Sequence, residues 1–374
     1  CFVLVVFLLC VGVGGVLLVV VLVGVGWVVG VGLGTIQSAS SSQLTFLANP
    51  RYRSFLEQTG AGAVLIPESQ RAYCPVAALI VKDPYLAFAK ASAFFEVAPQ
   101  PQAGVHPAAV IDATARIADS ASIGPNAVVE ANVTVGEGAV IMANSVVGAG
   151  SVIGDQCRIW PNVTIYHGVT LGPRTIIHAN CVIGGDGFGF AFNGAGWTKL
   201  HQVGGVTIGA DVEMGAGTTV DRGAIDDTII GNGVILDNQI QVAHNVVIGD
   251  HTAIAGKAGI AGSAKIGSFC LIGGAAGIAG HIEVCDKVQI LAMSLVSSSI
   301  KEPGKYGSAL PVDSHSSYSR NVARFRNLED LAVPDGRLPG HRLRGEQRWT
   351  PLDKAVDRPS RGQRFARQQL HHDR

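Results

Sequence analysis

Residues 236–281 read LDNQIQVAHNVVIGDHTAIAGKAGIAGSAKIGSFCLIGGAAGIAGH, and their periodicity decides the fold. Every sixth position is aliphatic: Leu236, Val242, Ile248, Ile254, Ile260, Ile266, Ile272 and Ile278. Glycine follows at Gly249, Gly267 and Gly273. A six-residue repeat marks a parallel β-helix, in which each repeat is one short strand and a turn. Three repeats close a triangular coil, and coils stack at the strand spacing of about 4.8 Å. Each inward aliphatic contributes roughly 1.5–3 kcal/mol on burial, before the entropy of ordering the chain. The lattice does not need Asp237, Asn238, Gln239, Gln241, His244 or His281, so these polar residues are candidates for chemistry.

The same spacing holds upstream without a slip, at Val105, Ile111, Ile117, Ile123, Val129, Val135, Ile141, Val147, Ile153, Ile159, Ile165, Leu171, Ile177 and Ile183. It breaks over 186–203, where an insertion in a solenoid projects as a loop on one face. It resumes at Ile208, Met214 and Val220, slips by four residues near Asp226 and Asp227, and then runs from Ile230 to Val296. The 29 hexads predict about ten coils and a column on the order of 45 Å long.

The chain has 374 residues, a length that suggests two or three domains. Its formal net charge is zero, which argues against nucleic-acid binding driven by bulk charge. Only 15% of residues are charged and 48 are glycine, a balance that suits a β-rich solenoid. The seven cysteines (Cys1, Cys10, Cys74, Cys157, Cys181, Cys270, Cys285) are odd in number and contain no CxxC pair. They read as reduced, mostly buried thiols of a cytoplasmic protein.

Outside the column the chain changes character. Residues 1–34 carry no charge and are long enough for a membrane span, but they lack a basic flank or a cleavage pattern. An out-of-frame translation explains their Val/Gly/Leu composition better than a span, and no function is assigned to them. Residues 35–100 read as a small α/β domain short of its first elements. Strands are expected at 44–48, 63–67 and 77–81, and helices at 50–58 and 84–97. Residues 99–107 are the linker. The column occupies 101–300. A C-terminal extension, 301–332, holds a helix over 313–332 with Val322, Phe325, Leu328 and Leu331 on one stripe. Residues 333–374 carry ten Lys or Arg against five Asp or Glu and read as a disordered tail.

Hexapeptide columns occur mostly in acyltransferases, an analogy at the level of fold. Acyl transfer needs a base for the nucleophile's proton and a donor for the developing oxyanion. His244 lies two residues after inward Val242, so its imidazole faces out of the column. Asp237, Gln239 and Gln241, within one hexad of it, favour a site over a solvated surface histidine. Gly262, one coil of 18 residues later, places a backbone N–H beside it. His281 lies two coils on, positioned for a phosphate.

LTFLANPRYR near the start, GGDGFGFAF, ILDNQIQVAHNVVIGDHTAIAG and AGHIEVCDKV together resemble the UDP-3-O-acylglucosamine N-acyltransferases of lipid A biosynthesis, over about residues 36–332. The resemblance implies a left-handed column and a homotrimer with sites between subunits. It implies transfer of a 3-hydroxyacyl chain from acyl carrier protein to the 2-amino group of a UDP-glucosamine-based substrate. The donor then carries phosphopantetheine, and no separate cofactor or metal is called for. It implies that His244 is the general base, Gly262 the oxyanion donor and His281 a phosphate contact. Asp237 falls where the family holds the acyl hydroxyl or pantetheine arm, and Asn238 and Gln241 join it as substrate-binding candidates. Phe46, Asn49 and Tyr52 match the uracil-binding residues. Asp186, Phe188 and Phe190 match the sugar-nucleotide loop. Leu295 and Ser297 stand where chain-gating methionines are often found. The C-terminal helix would help dock the carrier protein.

Four rivals remain. The related O-acyltransferase of the same pathway lacks the LTFLANPRYR domain. A sugar-nucleotide acetyltransferase would use acetyl-coenzyme A. A zinc carbonic anhydrase on this fold needs an H-x4-H pair, which none of the 11 histidines forms. A non-catalytic scaffold, including a column left inactive by its aberrant ends, would not depend on His244.

Overall fold

The computed structural model describes residues 9–13, 16–23, 26–30, 32–99, 101–308 and 312–327. Its centre is a three-sided column of parallel strands, mostly two residues long. The first face runs through eleven strands, from Gly104–Val105 to Val288–Ile290 and a closing Gly304–Tyr306. The second face runs through ten, from Val110–Ile111 to Leu295–Val296, and the third through nine, from Arg116–Ile117 to Glu283–Val284. Together the faces hold the 29 hexads and the one closing strand. Partners lie one coil apart, as in Ile123↔Ile141 and Ile141↔Ile159. The two register breaks are absorbed between coils, so that Ile177 pairs with Met214 and Met214 with Leu236.

The aliphatic ladder fills the interior from Ile123 to Val296. Below it the ladder opens to solvent. Val105 is 47% exposed, and Ile111 and Ile117 are half-buried, because no coil lies beneath them. From Asn126 on, most corners are turned by a residue in the left-handed region, often asparagine, as at Asn126, Asn144, Asn162 and Asn180. Asparagine tolerates that conformation better than other side chains with a Cβ. Three of these side chains also hydrogen-bond up the stack, Asn126 to Asn144 to Asn162, at 3.3 Å each.

Inside the corners, small polar side chains donate to the carbonyl of the next coil. Ser145 reaches Trp160 O at 3.0 Å, Cys157 reaches Gly172 O at 3.1 Å, and Thr252 reaches Gly267 O at 2.7 Å. Cys181 and Cys270 donate in the same way, to Gly215 O and Cys285 O. These thiols are free and buried, and they serve as hydrogen-bond donors of the corners. Burial pushes Cys157 up to about 11 and raises Cys181 and Cys270 as well. At pH 8 all three should therefore resist iodoacetamide in the native protein and react only after denaturation, as peptide mapping would show. Prompt labelling of the native chain would contradict this packing.

Ahead of the column, Leu9–Val13, Val16–Val23 and Gly26–Gly30 form an antiparallel sheet. The apolar opening is thus laid out as strands, and among the described residues no helix is long and apolar enough to cross a membrane. A four-stranded parallel sheet follows in the order Gly32–Leu33, Gln43–Phe46, Ala63–Ile66, Ala77–Ile80. The expected helices appear as Pro50–Tyr52 with Arg53–Leu56, and as Pro84–Ser92 with Ala93–Phe95. The sheet carries one more strand than expected, Gly32–Leu33, because the apolar run reaches into it.

The C-terminal helix, His315–Arg326, is shorter than the span 313–332 and is capped by Ser314. Phe325 is 73% exposed and Val322 half-buried, so the described part of the expected apolar stripe is largely open to solvent. Leu328, Leu331 and the basic stretch 333–374 lie outside the described residues.

Candidate active site

One corner of the column departs from its structural pattern. Where the second face turns into the third, the position two after the inward aliphatic reads His167, Gly185, Arg222, His244, Gly262 and Gly280 in successive coils. His244 is half-buried and lies outside the core formed by Val242 and Val246. Two glycines leave room for its ring. A Cβ built on Gly262 would sit 2.7 Å from both Nε2 and Cε1, and one on Gly187 would sit 2.6 Å from the His244 Cβ. Gly187 belongs to the 186–203 insertion, so that loop folds back onto the Cβ–Cδ2 edge of the side chain, while Gly262 lies against its Nε2–Cε1 end. The middle of the insertion is an exposed hairpin of Phe190–Phe192 and Trp197–Lys199, and Gln202 near its end is buried.

The ring is also oriented. His244 Nδ1 lies 3.0 Å from Asn245 Oδ1. Asn245 is itself fixed: its Nδ2 donates to Asp226 O at 2.7 Å, and its Oδ1 accepts from Ala224 N at 2.9 Å. Flipping that amide would face donor to donor and acceptor to acceptor. Oδ1 can only accept, so His244 Nδ1 carries the proton and Nε2 keeps a lone pair beside Gly262. The groups that hold Asn245 belong to the four-residue slip at 222–227. No intrachain acceptor meets the Gly262 N–H among the described residues, which leaves it available to a ligand. His281 stands two coils above on the same corner, exposed, in the left-handed region, with its N–H on Gly262 O at 3.1 Å.

Residues near His244 in sequence are not all near it in space. Asp237 and Asn238 sit at the other edge of the second face, where the first face ends, and Gln239 turns that corner. The clustering of Asp237 and Gln239 around His244, inferred from the sequence, therefore does not exist within one chain. The strand Gln241–Val242 spans the width between them. Asp237 accepts the N–H groups of Asn238 at 2.8 Å and Gly256 at 2.9 Å. Asn238 Oδ1 accepts Ala216 N at 2.7 Å. Gln241 is held at both ends, by Thr219 Oγ1 and by the Asp221 carboxylate at 2.9 Å. Asp221 was not singled out from the sequence. It is half-buried within the field of His244, and burial raises its carboxyl above the ordinary value.

Elsewhere, Phe46, Asn49 and Tyr52 line a cavity of about 540 Å³ with Leu33, Ile36 and Phe88. The Phe46 ring centroid lies 4.4 Å from that of Phe88. Asn49 Oδ1 is committed to Arg51 N at 3.0 Å, which leaves its amide N–H groups for a ligand. In the insertion, Asp186 pairs with Lys199, which holds its carboxyl below the usual range. Phe188 is 86% exposed, 5.2 Å from Phe190. Among the described residues no group of three or more His, Cys, Asp or Glu is placed to hold a metal ion.

Comparison with known proteins adds a family to this geometry. Residues 31–94 match the family described as UDP-3-O-(3-hydroxymyristoyl) glucosamine N-acyltransferase, and residues 114–149 and 150–185 match bacterial transferase hexapeptide repeats. A UDP-3-O-acylglucosamine N-acyltransferase of Alcanivorax borkumensis is 89% identical over 301 residues, covering 80% of this chain and 90% of that protein. A protein of the same name from Pseudomonas aeruginosa is 50% identical over 301 residues, covering 80% of this chain and 85% of its own length. Among solved structures, the UDP-N-acetylglucosamine O-acyltransferase of Moraxella catarrhalis is 26% identical, with a TM-score of 0.40 over 63% of this chain and 86% of that one.

Proposed function

The chain belongs to the UDP-3-O-acylglucosamine N-acyltransferase family, and from that premise we propose how its own residues perform the transfer. The reaction moves a 3-hydroxyacyl chain from the phosphopantetheine thioester of acyl carrier protein to the 2-amino group of UDP-3-O-(3-hydroxyacyl)-glucosamine, in the cytoplasm, within lipid A biosynthesis. Nε2 of His244 takes the proton as the amine attacks the thioester carbonyl. The new C–N bond forms while the oxyanion faces the Gly262 N–H. Collapse expels the thiolate, which takes the proton from the imidazolium. The observation that carries this reading is the fixed Asn245 amide, because it commits Nδ1 and leaves Nε2 as the basic nitrogen of the ring.

The surroundings support the roles. Above His244 the second face presents Gly259, Ala261, Gly277, Ala279 and Gly280, a trough without long side chains that suits an acyl chain. A Cβ on Gly259 would meet nothing within 4 Å, and Leu295 closes the upper end, 57% exposed. The Phe46–Tyr52 cavity suits a pyrimidine, with an aromatic face and a free amide donor. His244 and Asp237 edge opposite sides of one face, so each chain offers two half-sites. A homotrimer would set one edge against its neighbour's other edge and complete the site.

The test is to offer the purified chain a 3-hydroxyacyl thioester of acyl carrier protein and, separately, acetyl-coenzyme A. Amide formation on the UDP-glucosamine acceptor with the first donor alone is expected. Preference for acetyl-coenzyme A would replace this reading with an acetyltransferase.

A further inference from the structure

At the foot of the glycine-rich trough the second face carries three polar side chains that the repeat does not require. Thr219 and Gln241 stand one rung apart, with Val182 on the rung below and Gly259 on the rung above. Asp221 shares a strand with Thr219. The inward residues of these two rungs are Val220 and Val242, both in the core. By the alternation of a strand, Thr219, Asp221 and Gln241 therefore leave the column on one side. Val220 pairs with Val242, which sets Asp221 directly under Ala243, the residue before His244.

The three are joined through their side chains. Thr219 Oγ1 donates to Gln241 Oε1, and Gln241 Nε2 donates to Asp221 Oδ2 at 2.9 Å. A carboxylate only accepts, so the amide cannot be turned over and both its ends are assigned. Held in this way, Gln241 keeps a second Nε2 hydrogen. Asp221 Oδ1 has no donor in this chain among the described residues, and it is not walled in by protein. Asp237 differs: its Oδ1 accepts from the backbone and side chain of Asn238, and its Oδ2 from Gly256 N. Burial raises the Asp221 carboxyl, and the Gln241 hydrogen bond offsets only part of that. A half-buried carboxylate gains from each further donor it meets.

We propose that Gln241 and Asp221 form a ledge that binds one hydroxyl group of the substrates, and that Thr219 is a positioning residue that fixes the Gln241 amide. The free Nε2 hydrogen donates to the hydroxyl oxygen, and Asp221 Oδ1 accepts the hydroxyl proton. A hydroxyl meets both needs at one atom, whereas an ammonium only donates and a carbonyl only accepts. Two sources bring hydroxyls to this face: the acyl donor, at C3 of its chain, and the UDP-glucosamine-based acceptor. The family resemblance places the acyl hydroxyl at Asp237, but the filled oxygens of Asp237 make Asp221 the better acceptor. The choice of ligands rests on the transferase reading; the ledge itself does not.

The test is titration calorimetry on the full-length chain, which reads binding without turnover. One arm compares a 3-hydroxyacyl pantetheine thioester with the same thioester lacking the hydroxyl. The other compares UDP-3-O-(3-hydroxyacyl)-glucosamine with analogues that each lack one hydroxyl. Wild type should bind the hydroxylated ligand of one arm roughly 10–100-fold more tightly, the range for hydrogen bonds to a charged group. The arm that discriminates names the source. Asp221→Ala and Gln241→Leu should each abolish most of that preference and leave the Kd of the ligand without the hydroxyl little changed. Thr219→Val should weaken the preference, and Thr219→Ser, which keeps the side-chain hydroxyl, should restore it. If Asp221→Ala fails to fold, Gln241→Leu still decides. The ledge is overturned if wild type shows no preference in either arm, binds neither set of ligands, or keeps its preference in Asp221→Ala and Gln241→Leu. A chain that shows the preference yet forms no amide would sink the transferase reading and leave the ledge standing.

Discussion

Replacing His244 with alanine is expected to lower turnover by roughly 10²–10⁴-fold, the usual contribution of a positioned general base. The column should survive the change. The imidazole lies outside the core, which Val242 and Val246 fill on either side of the turn, and it supports no rung of the ladder. The polypeptide groups of the turn stay bonded without the ring, since Ser263 N donates to the His244 carbonyl at 2.9 Å. Turnover should therefore collapse while the melting temperature and the oligomeric state stay close to wild type. Steady-state kinetics with a thermal melt would check both. Undiminished turnover would remove His244 from the reaction and leave the scaffold reading in its place.

Gly262→Ala is expected to cost about 10²-fold in kcat by displacing that base, without unfolding the chain. The added methyl would lie 2.7 Å from Nε2 and from Cε1 of His244, closer than real contacts allow. The ring cannot yield freely. Gly187 crowds its Cβ and Cδ2, and Asn245 holds Nδ1. Relief means breaking the Asn245 hydrogen bond or pushing the insertion outward, and either turns Nε2 from the substrate. The backbone itself tolerates alanine, because Gly262 is not among the glycines with positive φ. The variant should melt within a few degrees of wild type while kcat falls. A kcat within two-fold of wild type would show that the ring is not held in place by its contacts with Gly187 and Asn245.

The column was legible because its signal is one-dimensional. Burial selects an aliphatic every sixth residue, and neither register break disturbs the lattice on either side. The pair His244–Gly262 was legible for the same reason, since stacking converts a spacing of 18 into adjacency, and His281, 19 residues further on, falls on the same corner. What misled was short sequence distance. Asp237 and His244 are seven residues apart, which in a three-sided coil means different corners. The cradle itself was hidden because it is made where the repeat fails. Gly187 comes from the long insertion, and Ala224 and Asp226, which fix Asn245, come from the short slip. No period predicts where such loops return.

The most direct test is the tautomer of His244. Long-range proton–nitrogen correlation on histidine-labelled protein at neutral pH, assigned by loss of the signal in His244→Gln, reports which ring nitrogen bears hydrogen. A protonated Nδ1 and a bare Nε2 are expected, with Asn245→Ala releasing the ring to a mixture of both forms. A wild-type ring protonated on Nε2 would contradict the account, because the nitrogen beside Gly262 would then hold a proton where it must accept one.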